Sequence, residues 1–341
     1  MEKRKIQKVG ESTLSVSLPK EWLSNTGVKV GDTVYLDYGK DGSLRILSSS
    51  RPRKEEPSQY NIDCDYITDS YLLERLVVGS YMMGKDIVRI HSSKRITGEQ
   101  IEEVRNMARR LVGLSILEES KNEIVLQCTI DATKLNTYSL LGRMSVIVST
   151  MLSESLEALL QLNAELAKDV IKREEEANNV YWLITRLLLS AKTEGASDEP
   201  DPNGVLADID TRLISKSLER VADCSESIAK IVLELREYGS TLDGNESEKM
   251  VPLEKLTKDL FQKSMDALLS GNLNKANQAI NLRIKLDSEL EAWTRVVALP
   301  NFRAIAIMLA MIAENSTIIA SVAINNEMKK SDSFPASPQL F

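Results

Sequence analysis

Glu219 and Asp223 stand four residues apart in the stretch LADIDTRLISKSLERVADCSESIAKIVLEL, which runs from Leu206 to Leu235. On an α-helix that spacing stacks the two carboxylates with Cβ atoms roughly 5–6 Å apart, where like charges repel unless something cationic shares them. Two solutions are open. Lys216, Arg220 or water can serve the acids as an ordinary solvated pair. Alternatively, a hard divalent ion such as Mg, Mn or Ca can sit there, completed by oxygen ligands from other helices. The single histidine, His91, excludes His-rich zinc or di-iron centres and any His-based triad. Cys64, Cys128 and Cys224 are odd in number and far apart, which suggests neither a disulfide framework nor a CxxC site.

The helix that must carry the pair shows itself by periodicity. Leu206, Ile209, Leu213, Leu218, Val221, Ser225, Ile228, Val232 and Leu235 recur at steps of mostly three and four, so the spacing predicts one buried stripe of a long helix in a bundle. The stripe has an internal echo. Leu309, Ile312, Ala313, Glu314, Ser316, Ile319 and Ala320 repeat Leu218, Val221, Ala222, Asp223, Ser225, Ile228 and Ala229 at a shift of ninety-one residues. Ile171, Asn178, Thr185 and Arg186 recur as Ile280, Asp287, Thr294 and Arg295 at a shift of one hundred and nine. A duplicated three-helix unit, with a longer loop in its first copy, explains both shifts.

The segment LERVADCSESIAK at 218–230 resembles the signature of PhoU, the phosphate-uptake regulators, which are two three-helix bundles in tandem; the resemblance covers residues 131–330. Members carry a carboxylate pair at i, i+4 on the second and third helix of each unit. On this chain the first unit then keeps Glu174, with Asn178 in place of an acid, and the pair Glu219 and Asp223. The second keeps Asp287 beside Arg283, and Glu314 with Ala310. Cys224 stands where a histidine is usual. The resemblance thus implies one divalent metal ion at Glu174, Glu219 and Asp223, and an internal cation in place of a metal in the second unit.

Charge divides the chain. Residues 1–54 hold eleven Lys or Arg against six Asp or Glu, a net +5 that leaves −12 on the remainder of a chain with net charge −7. Opposite signs point to different partners. Leu14, Val16 and Leu18 alternate with serines as in a strand, Pro19 opens a short helix that Gly27 ends, and Val34, Leu36, Leu44 and Ile46 flank a turn at Gly39–Gly42. Fewer than fifty residues with few large apolar side chains cannot build a core alone, so a second copy should complete them. The segment Lys3–Ile46, with SLPKEWL and TGVKVGD, resembles the AbrB-like swapped-hairpin domains. The resemblance implies an intertwined homodimer that presents Lys3, Arg4, Lys5, Lys8 and Lys20 to DNA; a dimerisation module that binds no DNA is the alternative.

The expected fold is mostly α. A small β swapped-hairpin domain at 1–50 leads through a linker at 51–65 to a short α/β segment at 66–130. Two tandem three-helix bundles follow at 131–330, and then a loose tail at 331–341. Helices are predicted at 138–163, 165–191, 205–237, 250–270, 273–297 and 301–328. In the α/β segment, helices near 69–83 and 97–111 alternate with the strand at 86–91, before a hairpin of LSILEE and EIVLQCT. The apolar run 304–313 is interrupted by Glu314 and Asn315, short of a membrane span. A charged, strand-like N-terminus without an apolar leader indicates a cytoplasmic protein.

Three function classes follow. The first is a DNA-binding transcriptional regulator of phosphate uptake or homeostasis with a helical sensor or interaction body. The second is an adaptor without DNA binding, docked on a phosphate transporter or its regulatory components. The third, an enzyme, lacks a nucleophile and base pair, a Gly-rich loop and catalytic metal spacing. A basic head separates the first from the second, because an adaptor has no need of one.

Overall fold

The computed structural model describes residues 3–10, 13–38, 42–48, 57–69, 71–131, 134–193, 202–239, 244–295, 297 and 300–330. Most of the Gly39–Gly42 turn, the core of the 51–65 linker, most of the loop after Thr193 and the tail 331–341 lie outside them. Two compact units result, Met1–Ser58 and Gln59–Phe341.

In the first unit, β1 (Gln7–Val9) and β2 (Thr13–Ser15) pair antiparallel with Lys8 opposite Leu14. The helix α1 (Lys20–Thr26) follows Pro19, whose fixed φ suits a helix start, and ends on Gly27 in the left-handed region at φ 70°. β3 (Val34–Tyr38) and β4 (Leu44–Ser48) form a second antiparallel hairpin. This is the predicted order, ββ, short helix, ββ, though β2 stops at Ser15 and Val16 and Leu18 lie beyond it. No side chain described between residues 3 and 58 is buried. Ile6, Leu14 and Tyr38 are 69%, 67% and 78% exposed, the values of apolar groups that have found no partner.

The second unit opens with β5 (Gln59–Asp63), which corrects the linker expected at 51–65. It pairs in parallel with β6 (Ile87–His91) at the edge of a four-stranded sheet of order β5-β6-β8-β7, completed by β7 (Leu114–Glu119) and β8 (Glu123–Cys128). As an edge strand β5 buries little beyond Ile62, so it shows neither the alternation of β6 nor the buried run of β8. Helices α2 (Leu72–Met82) and α3 (Gly98–Arg110) cover one face of the sheet, with Leu73, Val77, Val104 and Met107 packed on Val88, Ile90, Ile124 and Leu126. A capping box starts α3: Thr97 accepts from the Gln100 N–H at 3.2 Å, and the Gln100 side chain accepts from the Thr97 N–H at 3.0 Å.

Two three-helix units follow, α4 (Thr137–Gln161), α5 (Ala164–Thr193) and α6 (Pro202–Glu237), then α7 (Gly244–Ser270), α8 (Leu273–Thr294) and α9 (Pro300–Met328). One continuous core runs through both, including Leu218, Val221, Ile228, Leu309, Ile312 and Ile319 from the duplicated stripe. The stripe is shorter than its periodicity implies. Leu206, Ile209 and Leu213 are 43%, 53% and 41% exposed. The 36 residues of α6 run about 54 Å, against about 38 Å for the 25 residues of α4, so its first turns outrun a neighbour. By length and composition α9 is apolar enough to cross a membrane, longer in that sense than the 304–313 run. Its apolar side chains Phe302, Ile305, Leu309 and Ile312 are buried in the helical core.

The α/β layer is fastened to α5 by a buried cation. Arg186, 4% exposed, donates through one guanidinium nitrogen to the carbonyls of Tyr81 and Lys85, at 2.9 Å each. It also faces Asp86 at 3.6 Å and stacks on the Tyr81 ring at 5.0 Å. Tyr81 lies in the last turn of α2 and Lys85 just past it, at the end of a helix where positive charge is favoured. Its repeat partner Arg295 is instead on the surface, 73% exposed and paired with Glu291. Trp182 is half-buried at the same junction beneath the guanidinium of Arg110, whereas Trp293 is buried in the helical core.

Candidate functional site

The carboxylate face is built by α5 and α6. Glu219 is 12% exposed at its side chain, and Lys216, one turn earlier, donates to both its oxygens at 2.7 and 2.6 Å. Arg220 reaches Asp223 at 3.2 Å, and on α5 Asn178 donates to Glu174. Each acid therefore has a neighbour on its own helix. Burial raises all three carboxyls above the ordinary range; Lys216 opposes the rise at Glu219 and Arg220 at Asp223. Behind burial, Glu174 feels the charges of Glu226 and Asp223, so the two helices do share one electrostatic face.

Glu226 was not singled out by the sequence, although it lies three residues after Asp223 and seven after Glu219, on the same side of α6. It is bound by Lys230 at 2.7 Å, and its charge raises both Glu174 and Asp223. The Cys224 thiol is buried and pushed up to about 11, so it stays protonated and offers no thiolate where a histidine is usual in the family. Among the described residues no three Asp, Glu, His or Cys side chains gather as a metal site would. Lys216, Arg220 and Asn178 hold the acids in this structure, so an ion would have to displace the two cations to reach them.

The second half shows the internal cation that its sequence implies. Arg283 donates through Nε to both oxygens of Asp287, at 2.7 and 2.8 Å, while Glu314 is exposed and Ala310 contributes no donor.

The raised carboxyls have a consequence for stability. Where the folded form holds a proton that the unfolded chain has released, stability falls as pH rises through the window between the two values. That loss begins in the ordinary carboxylate range and continues up to the raised folded values. Asp223→Asn has no charge to desolvate, so it should lose less stability across that window and be neutral or slightly stabilised near pH 7. Thermal melts of both proteins from about pH 4 to 7 read this directly, and equal slopes would contradict it.

The basic face belongs to the first unit. Lys3, Arg4, Lys5, Lys8 and Lys20 are all exposed. The first four precede or enter β1, Lys20 is the first residue of α1, and Arg4 donates to the Ser17 hydroxyl at 3.4 Å. Exposed cations on a short strand and a helix start can meet phosphates without first giving up a buried partner.

Residues 141–232 match the PhoU domain, and residues 6–58 match the domain described as antidote-toxin recognition MazE, bacterial antitoxin. Among solved structures, PhoU from Pseudomonas aeruginosa is similar at 17% identity, covering 57% of this chain and 96% of its own, with a TM-score of 0.52. The phosphate transport system regulatory protein PhoU from Streptococcus pneumoniae is 21% identical, with coverages of 59% and 95% and a TM-score of 0.46. No curated protein matches. The chain thus carries a MazE/AbrB-like domain at its N-terminus and a PhoU domain within a helical body that has the PhoU fold.

Proposed function

We propose that this protein is a DNA-binding transcriptional regulator of phosphate uptake or homeostasis, with the first unit as its DNA-binding head and the PhoU-type body as its sensor or interaction surface. The observation that carries this reading is the joining of a basic, coreless MazE/AbrB-like unit to a PhoU domain in one chain. Promoter DNA of phosphate-transport genes should shift with the protein at low salt and shift less at high salt, because counterions released from phosphates drive binding. No shift at either salt would favour the adaptor, in which the acidic body docks on transporter components and the head only pairs.

The head completes itself with a second copy in this reading. Its hairpins expose Ile6, Val9, Leu14, Tyr35, Leu36 and Leu44, side chains that a swapped partner would cover. An isolated segment of residues 1–50 is expected to fold only as a dimer. Sedimentation of a folded monomer at micromolar concentration would rule that out.

For the carboxylate face, we propose that a divalent ion competes with Lys216 and Arg220 for Glu174, Glu219 and Asp223 only at high concentration. Mg, Mn or Ca would then raise the Tm of the parent, raise that of Asp223→Asn less, and leave the response of Glu314→Gln largely intact. Flat melts in all three proteins would make Lys216 and Arg220 the acids' permanent partners.

A further inference from the structure

Between the two halves of the helical body lies a cavity of about 510 Å³, walled by Leu141 of α4, Asp210 and Ile214 of α6, Met265 and Leu268 of α7, and Glu327 of α9. Its floor is apolar, and its two acids are shielded from water. Glu327 is 6% exposed and is the one carboxylate found buried among the described residues. The backbone of Gly271 packs against the Glu327 carboxylate, where an added Cβ would force that group to move, and Glu327 also lines the cavity.

The end of α9 shows what these acids accept. Lys330 puts its ammonium on Glu327 at 2.5 Å, although its side chain is 66% exposed, and Lys329 reaches Asp210, itself 16% exposed, at 2.5 Å. Two primary ammonium groups thus already sit on two carboxylates at the edge of an apolar cleft. A carboxylate offers about four acceptor positions, so each lysine leaves capacity unused. An anion would face both acids. A hard divalent ion takes six or more oxygen ligands, and here Asp210 and Glu327 already hold lysines while Tyr138, Thr211 and Asn326 add only neutral oxygens.

We propose that this cleft binds an aliphatic polyamine, whose ammonium groups replace those of Lys329 and Lys330 on Asp210 and Glu327 while its methylene chain lies on the apolar floor. Lys330, largely solvated, loses little on displacement because an exposed ion pair contributes little, whereas Lys329, 37% exposed, gives up more. The bound ligand bridges α6 of the first half and α9 of the second, taking over the link that the Lys329–Asp210 pair makes between them.

Spermidine titrated into the full-length protein by calorimetry at physiological salt tests this, with magnesium chloride as a control for general attraction to a chain of net charge −7. Spermidine should saturate a single site that magnesium does not reproduce. Glu327→Gln and Asp210→Asn should each weaken it at least tenfold, whereas Lys330→Ala, which frees Glu327, should tighten it several-fold. From 1,3-diaminopropane to 1,5-diaminopentane each methylene buried should add about fourfold in affinity. If Glu327→Gln does not fold, Asp210→Asn and Lys330→Ala at the rim carry the test. Parent-like affinity in both acid variants, heats matched by magnesium at equal charge, or no gain in Lys330→Ala would each overturn the proposal.

Discussion

Replacing Lys3, Arg4, Lys5 and Lys8 together by alanine should lower DNA affinity about a thousandfold at 0.15 M salt and flatten its salt dependence by about 3.6 logarithmic units per decade. Each phosphate neutralised releases counterions worth a slope of about 0.9, so four contacts account for both figures. Part of the loss should be the same for every sequence, since contacts to the backbone position a protein but do not read bases. The four side chains are exposed, Lys8 on β1 and the others ahead of it, so their removal should leave the fold intact. Fluorescence anisotropy with specific and scrambled duplexes, at several salt concentrations, gives both the affinity and the slope. Unchanged affinity would remove these residues from the DNA interface.

Arg186→Ala should cost roughly 3–5 kcal/mol, the usual penalty for breaking a buried charged contact. In a unit of this size that is a fall in Tm of roughly 10 °C. The substitution removes the guanidinium donor from the Tyr81 and Lys85 carbonyls, leaving the former with only the Gly84 N–H, takes that cation from Asp86 and empties the space over the Tyr81 ring. Arg295→Ala is the internal control, because its counterpart ion pair lies in solvent. It should shift stability by no more than about 0.5 kcal/mol. Calorimetric melts of the two variants decide the matter, and equal effects would mean that the buried contacts contribute no more than the exposed one.

The contrast between Arg186 and Arg295 shows what periodicity reveals and what it hides. The duplication was legible because helical spacing repeats in the sequence, and the six long helices begin and end within a few residues of expectation except at the start of α7. The role of Arg186 was not, since its acceptors lie about a hundred residues away on an element whose docking no local pattern encodes. The same reason hid β5, whose only partner strand is parallel and lies beyond an intervening helix. At the carboxylate face the sequence located Glu174, Glu219 and Asp223. Which of two solutions their repulsion takes depended on side-chain reach, and here Lys216 and Arg220 fill that role. Glu327 was missed because an acid near the end of a helix reads as solvated until the turn at Gly271 is seen to cover it.

A head without a buried side chain also bears on how long the chain survives in a cell. If the head pairs as proposed, an unpaired copy leaves its exposed apolar side chains uncovered and its short hairpins easily opened to proteases, while the body keeps its own core. Pairing depends on the square of concentration, so sparse chains are clipped and abundant ones are protected. Under that proposal the level of intact chain would rise more steeply than the rate of its synthesis, and synthesis below the pairing threshold would leave only headless bodies.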